Sequence, residues 1–403
     1  MNPVELKEGI HWIGVNDQTT DLFEGLWPIR KEGVSYNSYL VLDEKKAVVD
    51  LIKPIKTEEY LIGLESVLPL SDIDYIVLNH LEPDHAGLMG TFSRLAPRAK
   101  FVCSAKAAEM IPPFLKVSDA RRLQVVKDGE VISLGAKQLQ FFYTPFVHWP
   151  ETIMTYEKQS KILFSCDAFG GYGAIRGKIF DDEVEELAFY EKESLRYYVN
   201  VVANYSQRVL AAIEKLKSIP IEVVAPSHGL IWRKNPKRIV ENYQKWANCA
   251  SGQGEKGITL IFGSMYGFTE SLMDTVARGV ARSGVPIQIF DAARVHVSYI
   301  LPSLWTFEGV IVGAPTYEVK LFPPVAAALE MALHKRIFRR KAAFFGTYGW
   351  SGGAFKEFQR LAADLKWNIT HNLEIRGIPE KEELDRAEKW GEDFARSLLF
   401  KGN

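Results

Sequence analysis

Tyr75-Ile76-Val77-Leu78-Asn79-His80-Leu81-Glu82-Pro83-Asp84-His85-Ala86-Gly87 is the stretch that decides how the first half of this chain folds. An apolar run ending at Leu78 reads as a buried strand. His80, Glu82, Asp84 and His85, all able to bind a metal, follow it at once, and Pro83 and Gly87 predict a turning loop rather than a continued helix. Alternation along that loop lets His80 and Glu82 face one point while Asp84 and His85 face a second. So short a loop does not complete a metal's shell, and ligands are expected from elsewhere. They stand at matching places: His148 after Phe141-Phe142-Tyr143, Asp167 after Ile162-Leu163-Phe164-Ser165, and His228 after Glu222-Val223-Val224-Ala225. A lone histidine at a strand end is ordinarily a hydrogen-bonded structural residue. Four of them, out of 8 in the chain, together with three carboxylates, point to a metal site.

Working outward, short strand-like runs dominate before residue 170: Asn37 to Val41, Ala47 to Asp50, Tyr75 to Leu78, Phe101 to Ser104, Gln138 to Tyr143, Thr152 to Tyr156 and Lys161 to Ser165. Helical stretches fall between and after them, such as Lys56 to Val67 and a long one from Glu193 to Lys217. This mixture predicts layered sheets flanked by helices. Tyr36, in an early strand, reads as core packing and Asp50 as support behind the ligands; Cys166 and Trp149 read as packing.

Ala250-Ser251-Gly252-Gln253-Gly254-Glu255-Lys256-Gly257 is small, polar and without apolar period, which marks a boundary. The expected division is therefore residues 1–250, a linker at 251–257, and residues 258–403. Beyond it the rhythm is regular. Strands Ile258 to Phe262, Pro286 to Phe290, Val310 to Gly313 and Ala342 to Gly346 each precede a helix, and a last strand and helix close the chain. Five such repeats predict a parallel, doubly wound sheet. Its first strand runs into Gly263-Ser264-Met265-Tyr266-Gly267-Phe268-Thr269, where hydroxyls and backbone N–H groups gather at a helix start, an arrangement suited to a phosphate monoester. Neither Gly-x-Gly-x-x-Gly nor Gly-Lys-Ser/Thr is present, which argues against a dinucleotide and a nucleoside triphosphate. Ligands of such sheets sit beyond the carboxyl ends of the strands. The loops Pro315-Thr316-Tyr317-Glu318 and Thr347-Tyr348-Gly349-Trp350-Ser351-Gly352-Gly353 belong to the same edge, with aromatics able to stack on a planar ring.

Composition narrows the class. Of 403 residues, 47% are hydrophobic and 25% charged, and 49 Lys+Arg against 50 Asp+Glu leave a net charge of -1. That balance carries no electrostatic footprint for nucleic acid. No apolar run reaches the ~18 residues that cross a bilayer, and the N-terminus lacks a signal-peptide layout, so a cytoplasmic protein is expected. The 3 cysteines are far apart and form no Cys-x-x-Cys pair, which excludes a disulfide framework and a rubredoxin-type module within these residues.

The second half resembles flavodoxin, with its hydroxyl-rich first loop and its aromatic, glycine-bearing second and third loops. The resemblance implies bound FMN, with Ser264, Tyr266, Gly267 and Thr269 on the phosphate and Thr316, Tyr317, Tyr348, Gly349 and Trp350 around the isoalloxazine. The first half resembles the metallo-β-lactamase superfamily, whose hydrolases carry His-x-His-x-Asp-His. Here Glu82 stands at the second position; a carboxylate for an imidazole hardens the site and shifts it from zinc toward iron or manganese. Together the two halves resemble the flavodiiron proteins. That resemblance implies an αββα metallo-β-lactamase-like sandwich fused to a flavodoxin-like five-stranded parallel sheet. It implies one iron on His80, Glu82 and His148, another on Asp84, His85 and His228, and Asp167 bridging. It also implies reduction of dioxygen to water, of nitric oxide to nitrous oxide, or of both, in a head-to-tail homodimer or a dimer of dimers. The electron donor would be a separate molecule, rubredoxin or a reduced deazaflavin. Glu24 stands where many relatives carry a histidine near the di-iron pocket. The alternatives are a two-zinc hydrolase with an accessory flavodoxin domain and a plain electron carrier.

Overall fold

The computed structural model describes residues 2–115, 120–175 and 177–399. By packing, the chain divides into Met1–Gln244 and Lys245–Asn403. The division falls inside the helix Pro236–Asn248, upstream of the glycine-rich stretch.

The first unit has two main sheets. One holds β1 (Val4–Lys7), β2 (Ile10–Trp12), β3 (Tyr39–Val41), β4 (Ala47–Val49), β5 (Tyr75–Val77), β6 (Lys100–Ser104) and β7 (Leu123–Val126), side by side in chain order. The other holds β8 (Val131–Ser133), β9 (Gln138–Tyr143), β10 (Ile153–Glu157), β11 (Ile162–Cys166) and β12 (Val223–Pro226), again in chain order. Strands β4 and β5, and β11 and β12, pair in parallel, so their carboxyl ends open on the same side of each sheet. The two sheets face one another: Tyr39 meets Phe164 with ring centroids 4.9 Å apart, and its hydroxyl donates to the Pro226 carbonyl at 2.7 Å. Strands β4, β11 and β12 are uninterrupted runs of buried residues, as expected of strands covered on both sides. Helices such as Thr57–Glu65 and Ser206–Leu216 supply the outer layers.

The long helix expected over Glu193 to Lys217 is broken. Leu187–Tyr197 gives way to a widened π turn at Tyr198–Val202, a tight turn at Ala203–Tyr205, and then Ser206–Leu216. The residues of the widened turn are all buried. Val199, Val201 and Val202 are β-branched and crowd a regular helix, and such insertions favour functional sites.

The second unit is a parallel sheet in the order β14 (Ile287–Asp291), β13 (Glu255–Phe262), β15 (Phe307–Tyr317), β16 (Lys341–Tyr348), β17 (Asn368–Arg376). Alternation decides the faces. Ile258, Leu260 and Phe262 join Val276, Phe394 and Leu398 of helices Phe268–Arg282 and Lys381–Leu399 in one core, while Thr259 points the other way and shares a 2.7 Å hydrogen bond with Ser303 of helix Val297–Thr306. Helices on both faces make the sheet doubly wound. Strand β13 starts at Glu255, inside the stretch expected to be linker, because Glu255 pairs with Phe307 across a bulge. Strand β15 runs past Gly313 to Tyr317 because it turns directly into a short hairpin with Lys320–Leu321.

Candidate functional site

The seven sequence-predicted ligands converge. His80 lies just past β5, His148 past β9, Asp167 at the end of β11 and His228 past β12. Asp84 and His85 belong to a one-turn helix, Pro83–Ala86, with Glu82 at its N-cap. The expected alternation of a turning loop is therefore replaced. Pro83 suits the first helical position, and the single turn swings Asp84 and His85 away from Glu82.

Two groups result, His80, Glu82, His148 and Asp167 in one and Asp84, His85 and His228 in the other. Asp167 joins them. One carboxylate oxygen lies 3.5 Å from His80 Nε2 and 3.3 Å from His148 Nε2; the other lies 3.1 Å from His85 Nε2 and 3.3 Å from His228 Nε2. Glu82 completes the first group at 3.3 and 3.1 Å from the Nε2 atoms of His80 and His148, and Asp84 the second at 3.5 and 3.4 Å from those of His85 and His228.

The remote nitrogens are mostly occupied. His80 Nδ1 pairs with Glu151 Oε1 at 2.7 Å and His228 Nδ1 with the Ser35 carbonyl at 2.8 Å, while His85 Nδ1 lies 3.8 Å from Cys166 Sγ. These contacts fix the ring orientations and leave Nε2 facing inward. Burial disfavours charged imidazoles, but the close negative carboxylates, Asp167 foremost, override it, lifting His148 to about 10 and His228 to about 9.

The donor set fits two cations. The Nε2 atoms of His85, His148 and His228, one oxygen of Asp84 and one of Asp167 are buried with no hydrogen-bond partner among the described residues. Unpartnered polar atoms in an interior are costly. Three carboxylates against four imidazoles nearly balance two divalent charges, and the mixed nitrogen and oxygen set, without a thiolate, suits iron or manganese.

Several residues around the site escaped the sequence. Tyr197, at the break in the long helix, donates to Asp167 at 2.8 Å. Glu151 also accepts from the Leu81 N–H at 3.1 Å; its position three residues after His148 was the available signal. Asp50 acts as support, accepting from the Asn79 backbone at 2.8 Å and from Ser227 at 3.2 Å. Tyr36 does more than fill core: its ring meets His228 edge-on at 5.7 Å and its buried hydroxyl has no partner among the described residues. Trp149 packs edge-on against His80 at 5.0 Å. Glu24 occupies a turn at φ 51. Crowding by neighbouring atoms and then the negative charge of Glu82 push its carboxyl up to about 7, although the residue is exposed overall.

The second unit gathers its three loops at the carboxyl ends of β13, β15 and β16 around a cavity of about 430 Å³. Met265, Tyr266, Phe268, Pro315, Thr316, Tyr317, Glu318, Thr347, Tyr348, Gly349 and Trp350 line it, and the structure adds Val319, Ser351 and Gly377. Ser264, Gly267, Thr269, Gly352 and Gly353 stand outside that lining. Ser264 accepts from the Gly267 N–H at 3.1 Å, and the buried Thr269 hydroxyl is tied to Thr347 at 2.8 Å. Gly353 has φ 152, and a Cβ there would run into the Val319 carbonyl. Glu318 and Val319, at φ 47 and 63, form a two-residue hairpin turn without glycine, a strained feature no turn residue announces.

A lactamase-like sandwich with a two-cation centre, joined to a doubly wound sheet with a phosphate-type loop, defines a two-metal flavoprotein oxidoreductase. Residues 34–229 match the ODP family beta lactamase, and residues 260–391 match flavodoxin. The anaerobic nitric oxide reductase flavorubredoxin of Escherichia coli O1:K1 / APEC is 33% identical over 398 residues, which is 98% of this chain and 82% of that protein. The rubredoxin oxygen:oxidoreductase of Desulfovibrio gigas has a similar structure, with a TM-score of 0.91, 27% identity and 99% coverage of both chains. The flavodiiron protein of Giardia intestinalis gives a TM-score of 0.92 and 26% identity over 99% of this chain and 97% of that one. The chain belongs to the flavodiiron protein family. Its cofactors are FMN, implied by the flavodoxin domain, and the non-haem di-iron centre of the family. None of the helices described is long and apolar enough to cross a membrane.

Proposed function

We propose that this oxidoreductase reduces dioxygen to water, nitric oxide to nitrous oxide, or both. Asp167 carries the reading: its two oxygens divide between two histidine–carboxylate groups, as a bridging ligand of a two-iron centre would. His80, Glu82 and His148 would hold one ion and Asp84, His85 and His228 the other. When bound, FMN supplies electrons singly or in pairs and the iron pair supplies open coordination positions and electrons for a small diatomic.

The protein's own groups do the rest. Glu151 and the Ser35 carbonyl hold His80 and His228 in the tautomer that presents Nε2. Tyr197 donates to the Asp167 oxygen that faces His85 and His228, which limits the charge that oxygen can offer and fixes its direction. Phe23 and Tyr36, both edge-on to His228, keep bulk water from that side. Ser264, Tyr266, Gly267 and Thr269 would anchor the FMN phosphate, with Tyr317, Tyr348 and Trp350 against its ring. Electrons would reach FMN from a separate donor such as rubredoxin or a reduced deazaflavin, a reading supported by the similarity to the rubredoxin oxygen:oxidoreductase of Desulfovibrio gigas. A head-to-tail dimer would bring the flavin of one copy to the irons of the other.

The test is anaerobic photoreduction of the purified protein followed by dioxygen or nitric oxide, with flavin reoxidation and gas consumption recorded. Rapid reoxidation that disappears when iron is removed is expected. Slow reoxidation indifferent to iron would sink the proposal.

A further inference from the structure

At the sheet edge opposite the flavin loops, the second unit holds another cavity, of about 400 Å³, whose lining includes Lys256, Glu308, Arg339, Arg340, Lys341 and Lys366. Topology places it. Lys256, Glu308, Lys341 and Asn368 are the first or second residues of β13, β15, β16 and β17, which run parallel, so the cavity lies at their amino ends. The flavin loops leave their carboxyl ends.

Five cations here face one carboxylate. Glu308 is spent on Lys256 and on the Gly254 N–H at 3.3 Å. Arg340 is only 2% exposed and donates at 3.0, 2.7 and 2.7 Å to the carbonyls of Leu304, Phe338 and Trp305. Carbonyl dipoles orient a guanidinium without cancelling its charge. Lys341 donates to the Ser397 carbonyl at 2.8 Å, and Lys366 lies 5.4 Å from the Phe338 ring centroid. Among the described residues, Arg339, Arg340, Lys341 and Lys366 form no ion pair, although the charge of Glu308 also reaches Arg340. Burial, reinforced by Lys256, holds the Lys341 ammonium below its usual range, and burial lowers Arg340 to about 10. Like charges that outnumber their counterions in a chain of net charge -1 are a standing cost.

We propose that this cavity binds a small polyvalent phosphate anion, a polyphosphate or a phosphate ester carrying at least two phosphate groups. A single carboxylate or chloride offsets one of four unmatched charges; linked phosphates offset several at once. The Arg339 fork suits bidentate phosphate contact and the lysines serve as point charges. The volume lies in the range of small-molecule sites, ~300–1,000 Å³. Because the two sheet edges are opposite, this ligand does not compete with FMN, and the proposal is independent of the reaction at the irons.

Calorimetric titration of the intact holoprotein with inorganic tripolyphosphate tests it. The expected result is one saturable site per chain, weakened by added salt, a raised melting temperature and unchanged FMN content. The double variant Arg339→Gln/Lys366→Gln, at two exposed positions, should bind at least about tenfold more weakly, and Glu308→Gln should bind more tightly. Lys389→Gln, on the helix Lys381–Leu399 and outside the cavity, serves as the control and should leave binding unchanged. Absence of saturable binding, or equal losses in the double variant and the control, overturns the proposal.

Discussion

The two sites of this chain are built on opposite plans. In the candidate metal centre most of the groups are interior: His80 is 0% exposed, His85, Asp167 and His228 are each 1% exposed, and only Glu82 is partly exposed. In the flavin cavity the aromatics stand in solvent, Tyr266 at 79% and Trp350 at 89% exposed. The first is held in shape by the polypeptide, through Glu151, Ser35, Tyr197 and Asp50, whatever occupies it. The second consists of loops whose surfaces find their partner only in a ligand. Interior ligands should therefore fail nearly all-or-none, and exposed aromatics by degrees.

The strongest break is Asp167→Ala. It removes the one group shared by both clusters and leaves four imidazoles without their common partner. Iron content should fall below one ion per chain and gas reduction should drop to background, with the FMN absorption spectrum intact. Elemental analysis and spectrophotometry check this. Retained activity would remove Asp167 from its bridging role.

Acidity should strip the metal centre while sparing the flavin site. Without cations, His148 and His228 titrate at about 10 and about 9, so both carry protons at neutral pH. Cations must displace those protons, so metal affinity should rise with pH up to that range, by as much as about tenfold per pH unit for each proton released. The metal-free protein should show the reverse trend in stability. Both pKa values lie above the ordinary imidazole value, so their stabilising contribution is fully present below pH ~6.5 and is lost as pH rises through 9–10. Proton release on iron binding, and melting of the apoprotein across pH 6–10, measure the two trends.

Smaller still is Glu151→Gln, which keeps the shape but weakens the charge behind His80. Loss of such a supporting contact typically costs about 10–100-fold in metal affinity or activity. In the flavin loops, Gly353→Ala forces a Cβ against the Val319 carbonyl at a left-handed backbone position. The strain should be about 1–3 kcal/mol, seen as weaker FMN binding and a lower melting temperature at unchanged iron content.

The same contrast explains what could be read from the sequence. The convergence of the seven candidate ligands was legible because metal chemistry restricts residue type and strands put such residues at their ends. The doubly wound sheet was legible because five apolar runs alternate with amphipathic helices. Of what supports the ligands, only Asp50 was legible. Tyr197 reaches Asp167 only because the helix breaks at Tyr198–Val202, and no local pattern announces a π turn. The one-turn helix at Pro83–Ala86 was hidden by Pro83 and Gly87, which suit a loop and a helix end equally. In the flavin loops, Val319 and Gly377 come to the cavity through a hairpin turn and a neighbouring strand end, which are tertiary placements.

The finest test of the contrast is Trp350→Ala. At 89% exposure the indole buries almost nothing against the protein, so its removal should leave the melting temperature of the FMN-free protein unchanged. On the proposed stacking against the flavin ring it is worth ~0.5–1.5 kcal/mol, or about two- to thirteenfold in FMN dissociation constant. Fluorescence titration of FMN into the apoprotein measures the change, and iron content is the internal control. A loss confined to FMN affinity would establish that this aromatic serves the ligand alone. A fall in apoprotein melting temperature would mean that Trp350 is held by contacts of its own, and that the flavin loops are closer in design to the metal centre than their exposure implies.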